Sequence, residues 1–99
     1  MEITKELTGT TLTVNVSGRL DASNAQTLTN ELNASLNGVK ELIFDFNGLK
    51  YVASAGLRVL LTAQKRMNKQ GSMKIRNVDD NVMEVLDMTG FADLMNIEK

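Results

Sequence analysis

The run "ELIFDF", residues 41–46, constrains the fold of this chain most strongly. It is too short for a helix of ordinary length, and Leu42, Ile43, Phe44 and Phe46 leave neither face of a strand fit for water. It reads as a buried central strand with Asp45 set into it. On each side lies a segment of helical period. Ala25, Leu28, Leu32 and Leu36 share one face of a helix expected over 23–37, which Asp21 or Ser23 can cap and Gly38 can close. Gly48 to Ala53 reads as a connecting loop. From Ala55 to Gln70 a second helix turns Leu57, Leu60, Leu61 and Met67 inward, with Arg58, Thr62, Lys65, Arg66 and Lys69 outward, and Gly71 stops it.

A strand, a helix and then the alternating "SMKIRNV" must cross over right-handedly, which sets 41–46 and 72–78 parallel in the sheet interior. Upstream, residues 2–8 and 10–17 form strands joined by a tight hairpin at Gly9 and Thr10. There "TLTVNVS" alternates Leu12, Val14 and Val16 with polar residues, and Gly18 is read as its end. "DDNVMEVLDMTG" repeats the cap, helix and glycine pattern and buries Val82, Val85 and Leu86. The tail "FADLMNIEK" ends in a strand or a short helical turn. The order β-β-α-β-α-β-α-β predicts an α/β fold: one domain over 1–99, with a mixed sheet of about five strands and helices packed against it. No repeat, linker or low-complexity tract interrupts it.

The chain has 99 residues with no cysteine, histidine or proline. Disulfides, thiolate nucleophiles and imidazole bases are excluded, and with them a Ser-His-Asp hydrolase and, in practice, a zinc site. No metal or cofactor is expected. No apolar run approaches the length of a membrane span, and the N-terminus lacks a secretory pattern, which points to a cytoplasmic protein. Net charge is −1, but Lys50, Arg58, Lys65, Arg66, Lys69, Lys74 and Arg76 occupy a stretch without acids, followed by Asp79, Asp80, Glu84, Asp87, Asp93 and Glu98. Such a split is either two solvated faces or a steering surface for a charged partner. Nucleic acid does not fit, because no aromatic is interleaved with the basic side chains.

Chemistry concentrates at "YVASAGLRVLL", residues 51–61. Ser54 stands at the start of the second helix, where backbone N–H groups lack internal partners and the macrodipole is positive. A serine there is most simply a cap. The same geometry also accepts an anion, and a phosphoryl group on Ser54 would bring about −1.5 to −2 charges to it. Arg58, one turn on, leans back toward the helix start. Ala53, Ala55 and Gly56 keep the surroundings low. Gly48, Gly56 and Gly71 match no nucleotide-binding motif. Asp45 reads as a polar strand-end residue rather than a catalytic acid, Asp21 as a helix-start cap or an interface residue, and the six methionines as core filler or exposed helix positions.

Together "GRLDASNA", "ASAGLRVLL" and "VLDMTGF" resemble the bacterial anti-sigma factor antagonists of the STAS domain family, over about residues 2–97. In that family the serine two places before the glycine is phosphorylated by a serine kinase that is also the anti-sigma factor. Here that position is Ser54. The resemblance implies partner switching: the unphosphorylated antagonist binds the kinase and frees a sigma factor, phosphorylation ends the binding, and a phosphatase restores it. Asp21 matches an acidic residue that lies near the phosphosite and contacts the kinase. The surface expected to meet the partner is then Asp21, Ala53, Ser54, Ala55, Gly56 and Arg58. Many members carry Asp or Ser immediately before the phosphorylated serine, whereas this chain has Ala53. Two other readings differ in class: an accessory subunit of a transport or lipid-trafficking complex in which Ser54 is only a cap, and a small enzyme using Asp21 and Asp45, which the absence of His and Cys disfavours.

Overall fold

In a computed structural model that describes residues 1–98, the elements run β1 (Glu2–Thr8), β2 (Thr11–Leu20), α1 (Ala25–Ser35), β3 (Glu41–Asp45), β4 (Leu49–Val52), α2 (Ser54–Gln70), β5 (Ser72–Arg76), α3 (Asp80–Met88) and β6 (Asn96–Ile97), with a 3-10 turn at Phe91–Asp93. The sheet order is β1-β2-β3-β5-β6, and β4 joins the far end of β2. Among the described residues only the β1–β2 hairpin is antiparallel; β3 and β5 are parallel, as the crossover argument requires.

The crossovers from β2 to β3, β3 to β5 and β5 to β6 all step the same way across the sheet. Right-handed connections then put all three helices on one face. The registers agree: Leu12, Leu42 and Met73 align across the covered face, as do Val14, Phe44 and Ile75, and all six belong to one core. The opposite face carries Thr11, Thr13, Asn15, Glu41, Asp45, Ser72, Lys74 and Arg76. Ile43 is its buried apolar residue, aligned between Thr13 and Lys74. The central strand is therefore covered by helices on one face and by its neighbours' side chains on the other.

The sheet has six strands rather than about five, because Leu49–Val52 is a strand and not the loop expected over 48–53. Two glycines build it. Gly48, at φ +90°, turns the chain after Phe46, and its carbonyl accepts from Gly18 N–H at 2.9 Å. Gly18, at φ +87°, does not end β2. The register shifts between it and Arg19, so β2 leaves β3 and pairs with β4 through Arg19–Tyr51 and Leu20–Val52. The first helix is shorter than 23–37 because residues 21–24 form a turn. Leu61 and Val85, expected inside, are half-buried at the core's edge.

The basic stretch is not one uninterrupted steering face. Lys50 pairs with Asp79, Lys74 with Glu98 and Arg76 with Asp45, so acids beyond it and one from β3 meet three of its seven cations. Among the described residues, no helix is long and apolar enough to cross a membrane.

Candidate functional site

The site lies where β2 and β4 end side by side. Ala53 N–H donates to the Leu20 carbonyl at 2.9 Å, so Asp21 and Ser54 each stand one residue beyond the same hydrogen bond. The sequence-predicted pair is thus brought together by the strand that sequence reading missed.

Ser54 is not the cap. Ala53 holds the N-cap position with extended backbone (φ −95°, ψ 174°), and no side chain caps the helix. The cap residue must be extended, and the bond from Ala53 to Leu20 fixes the alanine in that conformation, so Ser54 becomes the first helical residue. The first intrahelical bond runs from Leu57 N–H to the Ala53 carbonyl at 3.0 Å, which leaves the N–H groups of residues 54–56 without intrahelical partners. No acid occupies the first turn, so nothing there offsets the positive end of the dipole. Ser54 is exposed, with its hydroxyl unused by capping.

Of the neighbours expected at a partner surface, Ala53 and Ala55 are half-buried and Arg58 is exposed. Gly56 is buried: a Cβ there would lie 2.7 Å from Leu20 Cγ and 3.1 Å from Val52 Cγ2. It presents no surface of its own. Its role is to let the helix start settle against the ends of β2 and β4.

Asp21 forms the turn before α1. Its Oδ1 accepts from Ser23 Oγ at 2.6 Å and from Ser23 N–H at 3.0 Å, while its own N–H donates to Asn24 Oδ1 at 2.9 Å. Neither Asp21 nor Ser23 caps α1; Asn24 stands at that position without a side-chain cap bond. The Ser23 hydroxyl, then the Ser23 N–H, hold the Asp21 carboxyl below its ordinary value, so it is anionic near neutrality. The Asp21 carboxylate and the uncapped start of α2 thus follow directly on the paired ends of β2 and β4.

One pair was invisible in the sequence. Arg19 stacks over the half-exposed Tyr51 ring at 4.2 Å, across the β2–β4 pairing beside Asp21. Nothing links residues 19 and 51 until 49–52 is a strand. Asp45 is tied into the sheet and the loops beside it. Burial raises its pKa, but bonds from Asn77, Asn47 N–H and Arg76 outweigh that and hold it low. A carboxyl held ionised by three donors is a poor general acid.

The sequence profile of the STAS domain family matches residues 2–99. A protein of Bordetella bronchiseptica, BtrV, named as a candidate anti-sigma factor antagonist, is 29% identical over 99 residues, covering 98% of this chain and 85% of that protein. The anti-sigma-B factor antagonist of Bacillus subtilis is 29% identical over 85 residues, covering 85% of this chain and 78% of the relative. Among solved structures, the antagonist SpoIIAA in its unphosphorylated form matches with a TM-score of 0.85 at 18% identity, over 99% of this chain and 89% of that one. The phosphorylated form, from Bacillus, gives 0.77 at 18% identity, over 99% and 92% of the two chains. At that identity the structural likeness establishes the common fold.

Proposed function

This chain belongs to the STAS domain family, and from that premise we propose that it is an anti-sigma factor antagonist switched by phosphorylation of Ser54. One observation carries the reading: Ser54 is an exposed first helical residue, free of capping duty, at a helix start with unpartnered N–H groups and no acid. The names of the two sequence relatives support the partner class. The existence of SpoIIAA in both phosphorylated and unphosphorylated forms supports a fold that tolerates the modification.

In the unphosphorylated state, Ser54, Asp21 and the exposed Arg58 form the docking surface for an anti-sigma factor that is also a serine kinase, in the cytoplasm. The Ser54 hydroxyl oxygen attacks the γ-phosphorus of ATP, an O–P bond forms as the bond to ADP breaks, and a base of the kinase takes the hydroxyl proton. The product phosphate meets the free N–H groups of the helix start, which favour it without refolding the domain. For a docked protein, the same spot now carries bulk and about two negative charges beside Asp21. Binding ends, the sigma factor is recaptured, and a phosphatase resets the cycle.

The experiment is incubation with ATP and a serine kinase of the anti-sigma factor class, such as the anti-sigma-B factor opposed by the Bacillus subtilis relative, read by mass spectrometry. A single phosphate on Ser54 is expected, and none on Ser54→Ala. Phosphate placed elsewhere, or no transfer, overturns the switch and leaves Ser54 a structural residue. In parallel, Ser54→Ala retains binding to that kinase while Ser54→Asp weakens it at least about tenfold, the effect of roughly 1.4 kcal/mol. Equal affinities would remove the electrostatic account.

A further inference from the structure

Helices α1 and α2 pack side by side and leave a half-open groove of about 150 Å3 between them. Its floor is Leu32 from α1, Leu36 just beyond the end of α1, and Val59 and Ala63 from α2, all buried. Arg58 and Arg66 flank it two helical turns apart, and no acidic residue lines it.

Arg66 is already positioned. Its Nη2 donates to Asn37 Oδ1 at 3.0 Å and its Nε to Gln70 Oε1 at 3.3 Å. Gln70 is itself fixed, its Nε2 donating to the Leu36 carbonyl at 2.8 Å and the Val39 carbonyl at 2.7 Å. Both partners of Arg66 are neutral amides, and among the described residues no carboxylate pairs with it. Its charge is therefore not countered by a paired carboxylate, and of its five N–H donors those not used on the amides remain available. A half-buried cation held in place beside an apolar floor, with no counter-charge, is complementary to an amphiphile with an anionic head.

We propose that this groove binds a medium-chain carboxylate, its hydrocarbon lying on the Leu32, Leu36, Val59 and Ala63 floor and its carboxylate on Arg66. Size sets the chain length. An apolar cavity of this volume takes about six carbons, and the open side lets a chain of about eight reach the rim with its head group. Arginine selects the head, because its planar fork matches a carboxylate with two charge-assisted bonds, whereas an alcohol can accept only a neutral bond and an ammonium is repelled. The groove is separate from the hydroxyl of Ser54, so the proposal stands whether or not that residue is phosphorylated.

Titration of the uniformly 15N-labelled protein with octanoate, followed by amide correlation spectra, tests it. Saturable shifts are expected at Leu32, Leu36, Val59, Ala63 and Arg66, with an affinity in the millimolar range suited to so small a ligand. Octylammonium and octanol should bind at least about tenfold more weakly, as should octanoate to Arg66→Gln. The Arg66→Gln protein must keep its circular dichroism and Tm; if it does not, the wild-type comparison of the three head groups decides alone. Absence of saturable shifts overturns the proposal, as does undiminished binding by a folded Arg66→Gln protein. Octanol binding as tightly as octanoate overturns it in favour of an apolar side chain from a protein partner. Acetate binding as tightly overturns it in favour of a bare anion contact.

Discussion

Helices α2 and α3 begin in opposite ways. Asp79 caps α3, accepting from Asn81 N–H at 2.8 Å and from Lys50 at 3.3 Å, and Asp80 follows in the first turn. At α2 the cap position is an alanine, no side chain bonds to the helix start, and the first turn has no acid. Length and burial explain why both persist. α3 has 9 residues and two buried side chains, so local capping matters to it. α2 has 17 residues and seven buried positions, from Gly56 to Met67, so tertiary packing holds it and the cap can be omitted. The omission leaves donors and positive dipole available beside an exposed serine. A helix start with poor local chemistry and firm tertiary support suits a site that must accept an anion without unravelling.

If packing rather than capping secures α2, the largest loss follows from disturbing its contact with β2. Gly56→Ala sets a methyl group 2.7 Å from the Cγ of the fully buried Leu20. Overpacking of this kind costs about 1–3 kcal/mol, partly offset by the roughly 1 kcal/mol that alanine gains over glycine in a helix. Urea unfolding should show a net loss of up to about 2 kcal/mol. A variant more stable than the wild type would mean that the helix start is not seated by this contact.

The converse change supplies α2 with what α3 has. Ala53 already has the extended backbone of a cap, so Ala53→Asp should accept from the N–H of residue 55 or 56 and stabilise by about 1 kcal/mol. The gain should appear in the same urea experiment. No gain would show that these N–H groups cannot be reached from position 53, and would weaken the account of the site as an anion acceptor.

These contrasts also show what the sequence could and could not reveal. The covered face of the sheet was legible because Leu12, Val14 and Val16 alternate, and Ser54 was legible because it precedes an unmistakable apolar helix. Strand β4 was not: four residues with a buried–exposed–exposed–buried pattern have no period to read. Its pairing depends on a bulge at Gly18, which in sequence looks like a terminator. With β4 hidden, so were the Arg19–Tyr51 stack, the adjacency of Asp21 and Ser54, and the burial of Gly56. The cap was misassigned by one residue because alanine carries no capping signal. Only the bond from Ala53 to Leu20 fixes the helix start there.

Acid should separate the two helix starts. The N–H of Asn81 foremost, with Lys50, holds the Asp79 carboxyl below its ordinary value against a smaller opposing effect of burial. A depressed carboxyl stabilises the fold above its unfolded pKa, and that contribution is lost as pH falls through the lower folded value. Thermal stability should therefore decline below about pH 4, with Asp45 contributing in the same sense. Asp79→Asn should flatten part of that decline, measured as Tm against pH, whereas Ser54→Ala should leave its slope unchanged. An acid limb identical in Asp79→Asn and wild type would mean the α3 cap does not depend on its charge.

The smallest effect is the most diagnostic. Because the Ser54 hydroxyl caps nothing, Ser54→Ala removes no hydrogen bond from the folded state. Alanine is also the better helix former, by up to about 0.7 kcal/mol in a helix interior and less at its first residue. Stability should change by less than about 0.5 kcal/mol, in the direction of a gain. A cap serine would instead lose about 1 kcal/mol on the same change. The sign of this one difference separates a hydroxyl that holds the helix from one that is only displayed by it. A measured loss near the cap value would return Ser54 to the cap position that its sequence first implied.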